Sequence, residues 1–248
     1  MSKSELEVSK NKILDGSISI FQPKKGFRVS IDSILLSSSI KEYSNCMEFG
    51  TGSGIIIIYL SKKFPNSKII GVEKNIELVK LANKNLLKNN INNINSKILC
   101  NDLFNKPFLQ EYNNKLDRVI MNPPYFISNN VIKSNNKFKA SARYESNINE
   151  WFEAAYKKLK PKGYMNFVFR TESLDLILSN LNGSWGEIKI FPLWPKVNVK
   201  SKLMILQAKK NAKSGVQILP GLILHNNDGS YTDACNSILN NKSDIQLD

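Results

Sequence analysis

A single histidine, His225, stands among the 248 residues. A histidine-based triad or a histidine-rich metal site therefore has almost no material, and no metal is expected. His225 reads as a hydrogen-bonded residue of the tail. Cysteine is equally sparse. Cys46, Cys100 and Cys235 are isolated, odd in number and without CxxC spacing, which excludes a disulfide framework and a cysteine zinc site. Their apolar surroundings mark all three as small core or near-core residues. No apolar run approaches the roughly eighteen residues of a membrane span, and residues 1–11 are polar, without the apolar segment of a signal peptide. A cytoplasmic protein with no membrane partner is the expectation. Acidic residues are outnumbered, 21 against 35 Lys and Arg, for a net charge of +14. That excess suits a polyanion such as nucleic acid. The charge is mostly lysine set among many Asn and Ile, which an AT-rich coding sequence also produces, so charge alone speaks to association and not to identity.

What is present is enough apolar material, 42% of the chain, for one sizeable core. Residues 1–16 are polar and read as a flexible N-terminus, and 17–248 as a single domain. Within it, 17–21 alternates polar and apolar, 23–26 supplies turn residues and 27–30 can pair back. A hairpin and then a short helix over 31–40 are predicted for 17–45, with Ser30 or Asp32 as its cap. From Cys46 strands alternate with helices: strands at 46–49, 68–72, 96–100 and 116–121, helices from the glycines to Phe64 and over 76–89, the latter burying Ile76, Val79, Leu81, Ala82 and Leu86. That alternation predicts a parallel, doubly wound α/β sheet. Residues 126–146 show no periodicity and read as a loop over the site. Ile148, Trp151, Phe152, Ala155 and Leu159 mark an amphipathic helix that Pro161-Lys-Gly163 ends. A strand at 164–170, a helix at 174–181 and strands at 185–193 and 202–208 follow, the last pair in hairpin-like succession, so that end of the sheet is expected to be antiparallel. Residues 211–248 form a tail whose 222–224 stretch docks on the sheet.

The chemistry concentrates where strands end. Glu48-Phe49-Gly50-Thr51-Gly52-Ser-Gly54 follows a strand and opens a helix, and alternate glycines allow a tight turn and close approach of a ligand to backbone. The dinucleotide fingerprint needs glycine at 55, where Ile55 stands. An acid before a glycine turn fits S-adenosylmethionine, a cationic cofactor without phosphates. Glu73, followed by Lys74, ends the second strand and can take both hydroxyls of a ribose, although an acid before Asn75 also suits a helix start. After the third strand come Asn101, Asp102 and Leu103, where a carboxylate can accept adenine amino hydrogens and a leucine can cover the ring.

Asn122-Pro123-Pro124-Tyr125 follows the fourth strand. Two prolines cannot continue a central strand, so the chain turns out at its carboxyl end, where ligands bind in open α/β sheets. The Asn122 side-chain oxygen and the Pro123 carbonyl can each accept one hydrogen of a planar amino group. That localises the nitrogen lone pair toward an arriving methyl, and displacement then needs orientation and electrostatics more than a base. Tyr125, with Phe126, can stack on a base turned out of its helix. Taken alone the quartet allows adenine, guanine, cytosine or glutamine. Lys24, Lys25, Lys137, Lys139 and Arg143 are candidate phosphate contacts, Arg143 foremost for its planar fork.

Gln22-Pro-Lys-Lys-Gly-Phe-Arg28, Ser30-Ile-Asp32-Ser-Ile-Leu35, the 48–54 and 122–125 motifs, Ala142-Arg143-Tyr-Glu145 and, in the tail, Leu224-His225, Asp228-Gly229 and Tyr231-Thr232 together resemble the bacterial valine-tRNA adenine-N6 methyltransferases over roughly residues 21–239. The resemblance implies a Rossmann-like class I methyltransferase, with a seven-stranded, mostly parallel sheet, helices on both faces and an antiparallel end strand. It implies a monomer that uses S-adenosylmethionine and methylates the adenine 3′ of the anticodon, with tRNA and not DNA as partner. It assigns Glu48, Gly50, Gly52 and Glu73 to the cofactor's amino-acid and ribose parts and Asp102 to its adenine, with Phe49, Thr51, Gly54, Lys74, Asn101 and Leu103 expected as further cofactor contacts. Asn122 and Tyr125 go to the target base, and Arg28 and Asp32 to closing the cofactor site. The sequence departs from that pattern in the β-branched 55–58 helix start, in Tyr144 and in an Asn-rich 128–137. Rival readings are a release-factor glutamine N5-methyltransferase, a guanine-N2 RNA methyltransferase and a non-catalytic RNA-binding protein that retains the fold.

Overall fold

The computed structural model describes residues 7–25, 28–92, 94–123 and 137–247, with the backbone alone over 137–147. Strands β1 (Val8–Ile13) and β2 (Ile18–Pro23) form an antiparallel hairpin. Helix α1 (Ile31–Ser38) follows, then β3 (Asn45–Phe49), α2 (Ile55–Lys63), β4 (Lys68–Glu73), α3 (Ile76–Lys88), β5 (Ser96–Cys100) and β6 (Leu116–Met121). The second half is α4 (Lys137–Lys158), β7 (Leu159–Arg170), α5 (Leu174–Leu181), β8 (Trp185–Trp194), β9 (Leu203–Lys210), β10 (Val216–Ile218), β11 (Leu222–Ile223) and α6 (Asp233–Leu239).

The main sheet runs β10-β8-β9-β7-β6-β3-β4-β5, with β11 also on β8. Only β9 is antiparallel to its neighbours, β7 and β8. The seven expected strands are all present, and two short tail strands extend the β8 side. Two cores cover the two faces. One gathers α1, α2, α6, Leu86 of α3 and the hairpin's Leu14, Ile18 and Ile20. The other gathers Ile148, Trp151, Phe152 and Ala155 of α4, Ile177 and Leu181 of α5, and Phe108 from the β5–β6 connection.

Helix α2 opens on four isoleucines, a poor choice by propensity alone. Each is 5% exposed or less. Burying an Ile contributes roughly 1.5–3 kcal/mol against a propensity cost of at most about 0.7, so packing decides. Helix α3 starts on Asn75, whose side-chain oxygen accepts from Glu77 N at 2.9 Å and from Leu78 N at 3.4 Å, a conventional N-cap.

Several sequence expectations are corrected. Residues 8–13 are not a flexible terminus but β1, so the hairpin joins 8–13 to 18–23, and Arg28–Ser30 is not a strand. The register runs from Val8 opposite Pro23 to Ile13 opposite Ile18. Strand β1 has little apolar signal because it is an edge strand of which only part of each side chain is covered. Helix α4 begins at Lys137, ahead of the apolar spacing at Ile148, so the predicted loop does not extend over 137–146; Phe126 and the rest of 124–136 lie outside the described residues. Pro161-Lys162-Gly163 lies within β7, at a register shift between Leu116 and Arg118 of β6, with Lys162 at φ 67°. Ser30 occupies the N-cap position of α1, but its hydroxyl donates to Asp32 Oδ2 (3.0 Å) and does not cap. Ile76 is 46% exposed, and Cys100 is exposed while Cys46 and Cys235 are buried.

Candidate active site

Registers put the motifs side by side. Phe49 pairs with Val72 and with Met121, and Glu73 pairs with Cys100. Gly50, Asn101 and Asn122 therefore each come immediately after a ladder pair at one edge of the sheet. Three inter-strand steps of about 4.8 Å separate β5 from β6, a crevice of roughly 14 Å. The order reverses at β3, flanked by β4 on one side and β6 on the other, which makes this the switch point where such sheets bind ligands.

The glycine turn is held by backbone. Gly50 N and Thr51 N both donate to Val72 O, at 2.9 and 3.0 Å, and Gly54 N donates to Thr51 O at 2.9 Å. Gly50 sits at φ +71°, and a Cβ there would lie 3.1 Å from Trp151 Cη2, so left-handed backbone and the underlying indole both call for glycine. At Gly52 a Cβ would meet nothing within 4 Å; the backbone there faces open space in which a ligand can approach.

Three acids stand at or just beyond the carboxyl ends of β3, β4 and β5. Glu73 Oε2 accepts from Gly52 N (3.1 Å) and Oε1 from Asn75 N (2.9 Å). The carboxylate thus braces the glycine turn as well as the start of α3. Glu48 is 2% exposed and accepts from Thr51 Oγ1 at 2.6 Å. Burial, opposed by the Thr51 bond and reinforced by the negative Glu73, pushes its pKa up to about 8. The carboxyl is thus largely neutral at pH 7. Asp102 Oδ1 accepts from Phe104 N at 3.0 Å, and Asn101 N donates to Glu73 O at 3.1 Å, which ties the β5 exit to the β4 exit. Leu103 packs against the second core.

Asn122 Nδ2 donates to Ser33 Oγ of α1 at 2.8 Å. That bond fixes the orientation of the amide plane at the end of β6. Asp32 precedes Ser33 in the first turn of α1, and burial raises its pKa. The amino end of α1 therefore lies at the quartet. Pro123 is buried; Pro124, Tyr125 and Phe126 lie outside the described residues, and so do the side chains of Lys137, Lys139 and Arg143.

Not every expected residue reaches the crevice. The ring of Phe49 is 1% exposed and packs edge-on against Phe108, 5.5 Å between centroids, so its side chain belongs to the core. Lys74 is exposed. Lys24, Lys25 and Arg28 are exposed, and Lys24 pairs with Glu7 at 3.5 Å. His225 stacks on Tyr231 at 4.8 Å, with Nδ1 3.3 Å from Pro195 O, as a tail residue. Among the described residues no His, Cys, Asp and Glu group is placed to hold a metal ion, and no helix is long and apolar enough to cross a membrane.

Residues that motif reading missed complete the site. Ser33 orients Asn122, and its only sequence signal is a serine on the buried side of a short apolar helix. Gly71, in the middle of β4, admits Thr51: a Cβ there would lie 2.8 Å from Thr51 Oγ1 and from Ile98 Cδ1. An isolated strand glycine does announce such close approach. Asn85 of α3 is fully buried. It accepts from Phe21 N (2.8 Å) and donates to Phe21 O (2.7 Å) and Ser53 O (2.8 Å), binding the hairpin to the glycine turn.

A mostly parallel sheet with a single reversed strand near one end, whose switch-point crevice is acidic, is the architecture of the Rossmann-like methyltransferases. The fold of a predicted O-methyltransferase from Agrobacterium tumefaciens matches with a TM-score of 0.71 at 17% identity, covering 87% of this chain and 98% of that one. M. jannaschii TYW2 in complex with AdoMet matches at 0.55 and 14% identity, covering 85% and 87%. The methyltransferase small domain profile matches residues 27–176, more than half of the sequence, and the chain belongs to that family. It is 27% identical over 222 residues to a tRNA1(Val) (adenine(37)-N6)-methyltransferase of Haemophilus influenzae, covering 87% of this chain and 90% of the relative. It is 24% identical over 221 residues to the protein of that name from Vibrio campbellii, covering 87% and 88%.

Proposed function

We propose that the protein transfers a methyl group from S-adenosylmethionine to the N6 amino group of an adenine in tRNA, the adenine at position 37 of a valine tRNA. The observation that carries the reading is Asn122, held by Ser33 beside an acidic, glycine-floored crevice. Near-full-length similarity to relatives of that name selects adenine in tRNA from the amino groups the quartet allows.

The crevice suits the cofactor. It is cationic and carries a ribose and an adenine, and the residues present are Glu48 for the ammonium, Glu73 for the ribose and Asp102 with Leu103 for the adenine, with open backbone at Gly52. Bound there, it supplies an electrophilic methyl on a sulfonium sulfur. Asn122 Oδ1 and the Pro123 carbonyl accept the two hydrogens of the adenine amino group. The lone pair is drawn out of ring conjugation and aimed, so orientation and fixed dipoles supply the acceleration. No base is needed before attack, because the methylated nitrogen is acidic enough to lose its proton to water. Tyr125 is assigned the stacking wall for the flipped base. The positive charge of the chain supplies attraction to tRNA, and the cytoplasm, where tRNA is modified, is the assigned compartment.

The test is transfer of labelled methyl to total tRNA from cells lacking the enzyme, followed by nucleoside mapping. N6-methyladenosine next to a valine anticodon is expected. Label confined to protein, or to guanine, would replace the reading with a glutamine or guanine-N2 enzyme, and no transfer at all would leave the RNA-binding alternative.

A further inference from the structure

At the opposite end of the sheet lies a group that methyl transfer does not use. Arg118 interrupts the apolar β6 and is 5% exposed. Its Nη1 donates to Asn166 Oδ1 at 2.6 Å, and its guanidinium carbon lies 5.1 Å from the Tyr164 ring centre. The neighbouring acid does not pair with it. Asp117 Oδ1 takes Lys160 Nζ at 2.7 Å, and Oδ2 takes Ser44 N and Asn45 N at 3.2 and 2.8 Å. Burial, the largest effect on the guanidinium, pulls its pKa down, as for a cation short of counter-charge.

Three buried polar atoms on this face have no hydrogen-bond partner: Arg118 Nε, Asn166 Nδ2 and Tyr43 Oη. The first two can only donate. Burial raises the Tyr43 pKa, so its hydroxyl keeps its proton and can donate as well. Arg118 and Tyr43 line a cavity of about 260 Å³ together with Lys160, Lys162 and Tyr164, with Glu42 and Asp117 also on its wall. Leaving a buried charge unpaired is expensive, and a neutral acceptor answers a donor without answering the charge. An acceptor-only oxyanion answers both, and the planar guanidinium is the side chain best shaped for it.

We propose that this cavity binds a phosphate group, with Arg118 as the principal contact and Tyr43 as a second donor. Four steps of extended strand take the chain from Arg118 to Asn122, roughly 13 Å, so this cavity is separate from the site of methyl transfer, and the proposal stands whether or not the proposed tRNA reaction is right. The phosphate comes either from a free ion or from an RNA backbone.

Thermal unfolding of the full chain is followed while inorganic phosphate is titrated against sodium chloride at matched ionic strength. The expected result is a saturable rise in melting temperature with phosphate that chloride does not give. Arg118→Met abolishes the saturable rise, and Tyr43→Phe raises the half-saturating concentration about fivefold, one hydrogen bond's worth. Calorimetric binding of S-adenosylmethionine stays unchanged in both variants, which separates this site from the crevice. A second titration asks whether saturating phosphate displaces tRNA at the same ionic strength. Displacement that Arg118→Met mimics assigns the phosphate to RNA, and its absence assigns it to the free ion. A wild-type response equal to that of chloride, or a saturable response surviving in Arg118→Met, overturns the proposal. If Arg118→Met does not fold, an unchanged half-saturating concentration in Tyr43→Phe overturns it instead.

Discussion

On the proposed pairing of Glu48 with the cofactor's ammonium, cofactor binding depends on pH in a direction fixed by the surroundings of Glu48. Its pKa in the folded, empty protein is about 8 against an ordinary 4.5. At pH 7 the group is then about nine-tenths protonated, and pairing with the ammonium of S-adenosylmethionine requires releasing that proton. Affinity at pH 7 is therefore about tenfold below its plateau, and at pH 6 about a hundredfold, each pKa unit being worth about 1.4 kcal/mol. The cofactor's own α-amino group titrates near 7.7–8.0 and loses its charge above that, so the wild-type profile peaks close to pH 8. Glu48→Gln keeps the alkaline limb and loses the acid limb. Isothermal calorimetry at pH 7 in buffers of different ionisation enthalpy should count about 0.9 proton released in the wild type and close to none in the variant. A count near zero in the wild type, or an acid limb that survives in Glu48→Gln, would refute the reasoning. The same shift acts on stability with the opposite sense. The empty folded protein holds a proton between about 4.5 and 8 that the unfolded chain has lost, so this group makes the empty protein less stable as pH rises through that window, and bound cofactor offsets the loss.

Asn122→Ala should lower the turnover number by about two to three orders of magnitude, the usual effect of removing one fixed polar group from a transition state, with the calorimetric Kd for cofactor unchanged. Ser33→Ala, which only frees the amide to rotate, should cost about tenfold in turnover at unchanged cofactor affinity; wild-type turnover would remove Ser33 as the positioning residue. Gly71→Ala drives a methyl against Thr51 Oγ1 and Ile98, so it should destabilise the protein by about 1–3 kcal/mol in urea unfolding. Because the Thr51 bond lowers the Glu48 pKa, the same variant should move the acid limb of cofactor binding to higher pH. Asn85→Ala removes the partners of Phe21 N, Phe21 O and Ser53 O, at a cost of about 3 kcal/mol, and amide exchange at Phe21 should accelerate.

What was legible followed apolar pattern and glycine chemistry. The alternation from Cys46 to Met121 places the four strands β3 to β6 to within a residue, because buried strands leave continuous apolar runs between turn signals, whereas β7 begins five residues ahead of the expected 164. The site followed from the same pattern, since motifs at strand ends meet wherever strands are parallel and adjacent. Strand β1 was not legible, because an edge strand half open to solvent needs no apolar alternation. The first turns of α4 were not legible either. They carry Ala140 and Ala142, good helix formers, but no periodicity, and propensity without a buried face is a weak signal. The Ser33–Asn122 and Asn85–Phe21 contacts join residues 89 and 64 apart in sequence, and a polar side chain in an apolar helix says that a partner exists without saying which.

The asparagines bear on the charge. Composition alone reads the Asn- and Lys-rich character as coding bias, yet amides do specific work in the folded chain. Asn85 of α3 and Asn89, at the cap just after it, bond the backbone of β2 at Phe21 and Ser19 much as a neighbouring strand would. Among the described residues two lysines are buried, Lys158 and Lys210, and none of the hydrogen bonds that hold them goes to an acid. Lys158 Nζ donates to Phe108 O and Asn113 Oδ1, and Lys210 Nζ to Asn114 Oδ1, Tyr156 O and Leu159 O, at 2.7–2.8 Å for Lys210. Burial lowers the pKa of both, yet carbonyl acceptors satisfy their hydrogen-bonding needs without cancelling their charge. A biased composition thus supplies neutral partners where another sequence would place carboxylates, and the fold keeps its positive charge while closing its core. The amides let so positive a chain close its core without neutralising itself, leaving a field whose attraction for any polyanion must weaken steeply with salt.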